Sequence, residues 1–259
     1  MDINLLAIDI GHARVKLGVI EAGELVSSQR INLDQPENLA GAVEEAWRRF
    51  ENKSAEVAAA SSNRVAREDV AAIVERSTGQ RPQFVGSDLD LPIKVATKEP
   101  EKTGVDRVLN VAAAYQQLKK ACCVVDVGTA ITVDFCDDAG TFVGGNIAPG
   151  ASLMAESLHR VAPHLPQIKP VGTNEAFGDD TESAINCGIV NALRGLVRHA
   201  VEQHAMTLST WPEVIATGGD AHALFAEPDS WELVHAISPD LTLYGIGHAY
   251  AEHHVRHGT

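Results

Sequence analysis

The segment CCVVDVGTAITVDFCDDAGTFVGGNIAPG spans residues 122–150 and divides into three apolar runs separated by turns. Cys122 to Val125 leads into Asp126, Gly128 and Thr129, and Ile131 to Phe135 follows at once. Asp137, Asp138 and Gly140 then form a turn before a third run reaches Gly144, Gly145, Pro149 and Gly150. Short apolar runs bounded by Gly, Pro and Asp predict three consecutive antiparallel strands. A buried strand that carries a carboxylate to its tip and turns on glycine is a candidate ligand site, because α/β folds bind ligands beyond strand ends.

The same layout occurs near the N-terminus. LLAIDIGHARVKLGVI, residues 5–20, gives an apolar strand, Asp9, Gly11, a short turn and a strand carrying Lys16. The two Asp-x-Gly hairpins lie 117 residues apart (126 minus 9). A repeat at that distance predicts two related halves, residues 1–115 and 116–259, facing one cleft. Glu24–Ile31 reads as a third strand, Glu37–Phe50 and Arg64–Ser77 as helices, and Glu56–Ala60 and Gln83–Val85 as short strands. Pro92–Val95 reads as an edge strand, and Gly104–Leu118 as a helix leading between the halves. The second half continues with helices Ser152–Val161 and Thr181–Gln203, strand Val214–Ala216, a helix from Ala221, strand Leu233–Ala236 and closing helix Leu241–His254. This is a mixed-sheet α/β plan.

With 259 residues, 45% hydrophobic and 22% charged, the chain has the composition of a folded globular protein. A net charge of −14 argues against nucleic acid as a partner, since phosphate backbones require a basic surface. It also means that an anionic substrate must be met locally by Lys, Arg or a metal ion. No apolar run approaches the roughly 20 residues of a membrane span, and MDINLLAIDIG lacks the basic segment of a signal peptide. Cys122, Cys123, Cys136 and Cys187 have neither disulfide-framework nor metal-site spacing, so buried thiols in a cytoplasmic protein are expected. Trp47, Trp211 and Trp231 are expected in the core.

Several constellations carry candidate chemistry. Asp9, Gly11 and Lys16 suit a phosphate cradle, with Asp9 able to hold hydrated Mg²⁺. Asp126, Gly128 and Thr129 are similar, the Thr129 hydroxyl being a further donor. Thr217 to Ala221, TGGDA, puts Gly218 and Gly219 at a helix start, where a planar base can pack on bare backbone. Asp106 and Arg107 open a helix, which is common as helix-end electrostatics alone. In a functional reading Asp106 accepts a hydroxyl proton while Arg107 and local amides bind an anionic acceptor. His253 and His257 are four residues apart and able to bind a metal, but the sequence offers no third ligand of obvious intent, so a solvated helix end is expected.

Taken together these residues resemble the type III pantothenate kinases of the acetate and sugar kinase/Hsp70/actin superfamily. The resemblance rests on Asp9-x-Gly11 with Lys16, Gly104-x-Asp106-Arg107, Asp126-x-Gly128-Thr129-Ala130, Gly144-Gly145-x-x-x-Pro149-Gly150, and Thr181 opening a long helix. It implies two ribonuclease H-like (actin-like ATPase) domains, each a mixed five-stranded sheet flanked by helices. It also implies ATP-dependent phosphorylation of pantothenate in the cytoplasm by a homodimer. Asp106 would be the base, and Gly104, Val105, Asp106, Arg107 and Thr181 would bind pantothenate. Asp9, Gly11, His12, Lys16, Thr129, Gly218 and Gly219 would bind ATP with Mg²⁺. Asp126 would hold the monovalent cation, K⁺ or NH₄⁺. The chain departs from the family where the first turn usually carries Asn then Thr or Ser, here His12 and Ala13, and where a tyrosine is usual, here Thr97. A missing hydroxyl removes a phosphate donor worth on the order of 1–3 kcal/mol unless His12 replaces it. These departures favour a rival reading, a weak or inactive regulatory relative of the Bvg accessory factor type; intact Asp106, Arg107, Asp126 and Thr129 favour the enzyme.

Overall fold

The computed structural model describes residues 3–226 and 231–258. Its contacts divide the chain into two units, Met1–Ala113 with Asp240–Thr259, and Ala114–Pro239. The first unit contains β1 (Leu5–Ile10), β2 (Arg14–Glu21), β3 (Glu24–Asn32), α1 (Pro36–Arg48), β4 (Glu56–Ser61), α2 (Ala66–Thr78) and β5 (Gln83–Phe84). A 3₁₀ turn (Pro100–Lys102) and α3 (Val105–Leu118) follow, with the boundary falling inside α3. The second unit contains β6 (Cys122–Val127), β7 (Ala130–Cys136), β8 (Phe142–Pro149), α4 (Ala151–Val161), α5 (Thr181–Leu208), β9 (Glu213–Thr217), α6 (Ala221–Phe225) and β10 (Ala236–Ile237). The last helix, α7 (Leu241–His257), belongs to the first unit, unlike the sequence-based division at residue 115.

Each unit has one five-stranded mixed sheet, ordered β3-β2-β1-β4-β5 and β10-β9-β6-β7-β8. In both, the first three strands form an antiparallel meander and the last two add in parallel to its first strand. The repeat predicted from the Asp-x-Gly spacing is therefore a repeat of topology.

Local chemistry sets the element ends. The turn between β2 and β3 is Ala22-Gly23, both at positive φ (51° and 87°), the left-handed pair that matches hairpin twist. Pro36 at the first turn of α1 has the fixed φ a helix start favours. Asp180 caps α5 through a capping box, accepting from the Ser183 amide at 2.7 Å while its own amide donates to Ser183 Oγ at 3.1 Å.

Central strand β1 is buried along all six residues, which accounts for its near-continuous apolar sequence. Leu6, Ile8 and Ile10 pack with Val15, Leu17 and Val57 against α1 and α2. Leu5 and Ala7 face the other way, with Leu109 of α3 and Leu243, Ile246 and Ala249 of α7. That second layer explains why α7 joins the first unit. Gly245 leaves no room for a side chain, since a Cβ there would lie 2.4 Å from the Leu109 carbonyl oxygen. In the second unit Cys123, Val125, Val127, Ile131, Val133 and Phe135 turn to α4, α5 and α6. All four cysteines are free and buried, as expected.

Three expectations fail. Pro92–Val95 is irregular rather than a strand, consistent with a proline that removes a ladder donor. The last strand is Ala236–Ile237 rather than Leu233–Ala236, because pairing with Ile215 and Ala216 begins only at Ala236. Trp211 is 56% exposed, in the connection that follows the left-handed C-cap Ser209 of α5. No described helix is long and apolar enough to cross a membrane.

His204 of α5 stacks on Phe135, ring centroids 4.2 Å apart. Burial holds its imidazole below the ordinary 6.5, so the unfolded chain takes up this proton at higher pH than the folded one does. The contribution is complete above the unfolded value and is lost as pH falls through it towards the folded value. Thermal melts of the wild type should therefore drop between about pH 7.5 and 5.5 more steeply than those of His204→Phe, which keeps the stack but has no proton to bind. Parallel melting curves for the two proteins would disprove this role.

Candidate active site

Asp9 is the penultimate residue of β1, on the face shared with Leu5 and Ala7. Its cross-strand partner is Lys16, and Lys16 Nζ stands 3.9 Å from Asp9 Oδ2, with both side chains about seven-eighths buried (15% and 12% exposed). Between them the Gly11 amide donates to the Arg14 carbonyl at 3.0 Å, closing a turn over exposed His12 and Ala13. Asn63 Nδ2 donates to the Gly11 carbonyl at 3.3 Å, tying the turn to the end of β4. A partly buried carboxylate beside an ammonium, under a turn with exposed amides, is suited to phosphate oxygens and a hydrated divalent ion.

In the second unit Asp126 is the penultimate residue of β6, on the face opposite Val125 and Val127. Its register partners are Thr132 on β7 and Thr217 on β9. Thr132 Oγ1 donates to Asp134 Oδ2 at 2.7 Å, and Asp134 is only 1% exposed. Thr217 is fully buried, and its Oγ1 has no hydrogen-bond partner. An orphaned hydroxyl beside a carboxylate makes an all-oxygen donor set that fits a hard cation such as K⁺. Sequence reading missed Thr132, Asp134 and Thr217. The signal for the first two was the strict alternation in ITVDF, which puts both on the face of Asp126.

Glycines bring backbone close at this end of the second sheet. Gly218 has φ +97°, and a Cβ on it would lie 2.5 Å from Asp126 Oδ1 and 2.3 Å from the Val127 carbonyl oxygen. Its bareness thus serves packing on β6, while Gly219 is exposed. A Cβ on Gly150 would lie 2.0 Å from the Gly128 carbonyl oxygen, and the Gly150 amide donates to the Thr129 carbonyl at 2.9 Å. That contact sets the start of α4, which has no side-chain cap, next to the Thr129 turn. Amides at a helix start and a threonine hydroxyl together favour phosphate.

The Gly104–Arg107 segment opens α3 in the first unit. Asp106 Oδ1 accepts from the Arg107 amide at 3.0 Å, and both residues are half-buried. A Cβ on Gly104 would lie 2.7 Å from Asp106 Oδ1, so glycine is needed for this carboxylate to keep its place. Val105 packs against the cluster of Leu5, Ala7 and Leu109. Thr97 Oγ1 and Thr103 Oγ1 are 2.9 Å apart, so the residue at the usual tyrosine position is tied to the one before Gly104. Thr181, exposed at the start of α5, lines a cavity of about 700 Å³ in the second unit with Met154, Leu158, Gly178, Asp180 and Ile185.

Known proteins resemble this chain over most of its length. The sequence pattern of the type III pantothenate kinases matches residues 5–203. A type III pantothenate kinase of Dehalococcoides mccartyi (strain CBDB1) is 30% identical over 264 residues, covering 95% of each chain. One from Anaeromyxobacter dehalogenans is 31% identical over 248 residues, covering 93% of this chain and 96% of its own. Among solved structures, a Campylobacter jejuni protein described as a Baf family transcriptional activator superposes with TM-score 0.63 at 21% identity, covering 95% of this chain and 98% of its own. The activator of 2-hydroxyisocaproyl-CoA dehydratase from Clostridium difficile, with bound ADPNP, gives TM-score 0.55 at 13% identity, covering 99% and 97%. At those identities the two structures establish the actin-like fold alone. With its signature carried over most of the chain and full-length relatives of one name, the protein belongs to the type III pantothenate kinase family.

Proposed function

We propose that this chain transfers the γ-phosphoryl group of ATP to the primary hydroxyl of pantothenate. The observation that carries the reading is the intact Gly104–Arg107 segment, whose glycine leaves the Asp106 carboxylate its place at the start of α3. Asp106 accepts the hydroxyl proton as the oxygen–phosphorus bond forms and the bond to the ADP oxygen breaks. Gly104, Val105, Arg107 and Thr181 orient pantothenate. Lys16, Gly11, His12 and Thr129 hold phosphate oxygens, and Asp9 is the anchor for Mg²⁺. Gly218 and Gly219 are assigned to the nucleotide, Gly219 being the one that presents open backbone. Asp126, with the Thr217 hydroxyl, is assigned to K⁺ or NH₄⁺. Bound cations supply charge neutralisation that a chain of net charge −14 otherwise lacks for two anionic substrates.

His12 stands in the exposed first turn, with a ring able to donate where the family's hydroxyl is absent. This supports the enzyme over the regulatory alternative, as do the full-length kinase relatives. The buried free thiols suit a reducing, cytoplasmic setting. Self-association through α4 is the second part of the proposal, supported by exposed Leu158 (39%) and Val161 (82%) on that helix.

Purified protein incubated with ATP, Mg²⁺, K⁺ and pantothenate should release ADP only when pantothenate is present, and replacing K⁺ by Na⁺ should depress the rate. Absence of phosphopantothenate by mass spectrometry would turn the assignment to the regulatory alternative. Asp106→Asn should lower kcat by about 10²–10⁴-fold with unchanged thermal stability, the range expected for losing a general base. Retained turnover would remove Asp106 from that role. Light scattering on the eluting protein should show a dimer that Val161→Glu converts to monomer; a monomeric wild type would refute the assembly.

A further inference from the structure

His253 and His257, one turn apart on α7, meet Asp90 from the segment after β5. His257 Nε2 is 2.9 Å and His253 Nδ1 3.2 Å from the same Asp90 Oδ2. The three ligand atoms all lie within 4.8 Å of one another. A tetrahedral ion with bonds of about 2.0–2.1 Å needs ligand atoms about 3.3 Å apart, close to the two nitrogen–oxygen distances here. We propose that Asp90, His253 and His257 form a binding site for a borderline divalent transition metal, Zn²⁺ being the physiological type, separate from the cations of phosphoryl transfer.

The donor chemistry separates the two kinds of ion. Two imidazole nitrogens and one carboxylate suit Zn²⁺, Co²⁺, Ni²⁺ or Cu²⁺, whereas Mg²⁺ and K⁺ take oxygen. The site is also preformed. Leu89, next to Asp90, is buried with the β1 and α7 side chains, and Asp88 Oδ2 accepts from the Phe84 amide at 2.8 Å. The Asp90 amide lies 3.2 Å from His253 Nδ1 and holds the ring beside the carboxylate; a metal on Nδ1 takes the place of this contact. Arg256 Nη1 and Nη2 donate to the Leu91 and Pro92 carbonyls at 3.3 and 3.4 Å, fixing the same segment to α7. The Arg256 charge is met by Glu252 at 3.3 Å. Asp90 and His257 are exposed, leaving outer coordination positions to water. Without metal the three side chains form a hydrogen-bonded cluster; binding displaces ring protons and clips the loop after β5 to the closing helix.

The test uses full-length protein without a histidine tag, titrated with ZnCl₂ and, for spectroscopy, CoCl₂. One Zn²⁺ should bind per chain with release of protons, the melting temperature should rise, and Co²⁺ should give visible absorption bands of a tetrahedral nitrogen–oxygen site. His257→Ala and Asp90→Asn should each weaken binding by at least about tenfold. His254→Ala should not, since that ring bonds the Tyr250 carbonyl instead. Asp90→Asn preserves shape and hydrogen bonding, so its result stands even if a histidine variant folds poorly. Absence of stoichiometric binding, or binding indifferent to both Asp90→Asn and His257→Ala, would overturn the site. Kinase activity plays no part in the readout.

Discussion

Everything at the candidate active site follows from one constraint: a carboxylate placed at the end of a strand that is otherwise apolar and buried. Asp9 is 9% exposed, on a strand whose four large aliphatic side chains are inaccessible. Burying those side chains contributes roughly 1.5–3 kcal/mol each, enough to hold the strand in place while its last polar residue is partly stripped of water. A carboxylate in that position keeps its charge only beside a counter-charge or donors. Lys16 supplies the counter-charge in the first unit. Beside Asp126 the register neighbours are the hydroxyl residues Thr132 and Thr217.

The glycines serve the same end. Gly218, Gly150 and Gly104 each sit where a single Cβ would fall within 2.0–2.7 Å of a site atom. Three segments, after β9, before α4 and before α3, therefore pack directly on Asp126 and Val127, on Gly128, and on Asp106. A scan of glycine motifs registers all three as turn signals. Only the structure distinguishes Gly218, pressed on β6, from exposed Gly219 beside it.

Legibility in the sequence followed the range of the forces involved. The two meanders were readable because strand alternation and turn chemistry are local, and both Asp-x-Gly hairpins form where they were expected. The affiliation of α7 was not readable, because it depends on Gly245 and Leu243 meeting Leu109 more than a hundred positions earlier. Asp90 was invisible as a partner of His253 for the same reason. The edge strand expected at Pro92–Val95 failed because Pro92 offers no amide to a ladder, and pairing there is limited to a bridge at Val95. Thr217 drew notice only as the start of a glycine turn; its burial beside Asp126 depends on parallel pairing between β6 and β9.

The two hairpins also show why related motifs need not do the same work. Asp9 pairs with Lys16, six residues intervening, whereas Asp126 pairs with Thr132, five intervening. Counting by the 117-residue repeat, the position equivalent to Lys16 is Val133. The turn one residue shorter moves that position to the opposite face, where Val133 joins Phe135 in the core under α4 and α5. A lysine at 133 would point into that core, away from Asp126. The difference between a carboxylate opposite an ammonium and one opposite a hydroxyl is thus set by turn length rather than by the choice of a single side chain, and the Asp-x-Gly motif shared by the halves conceals it.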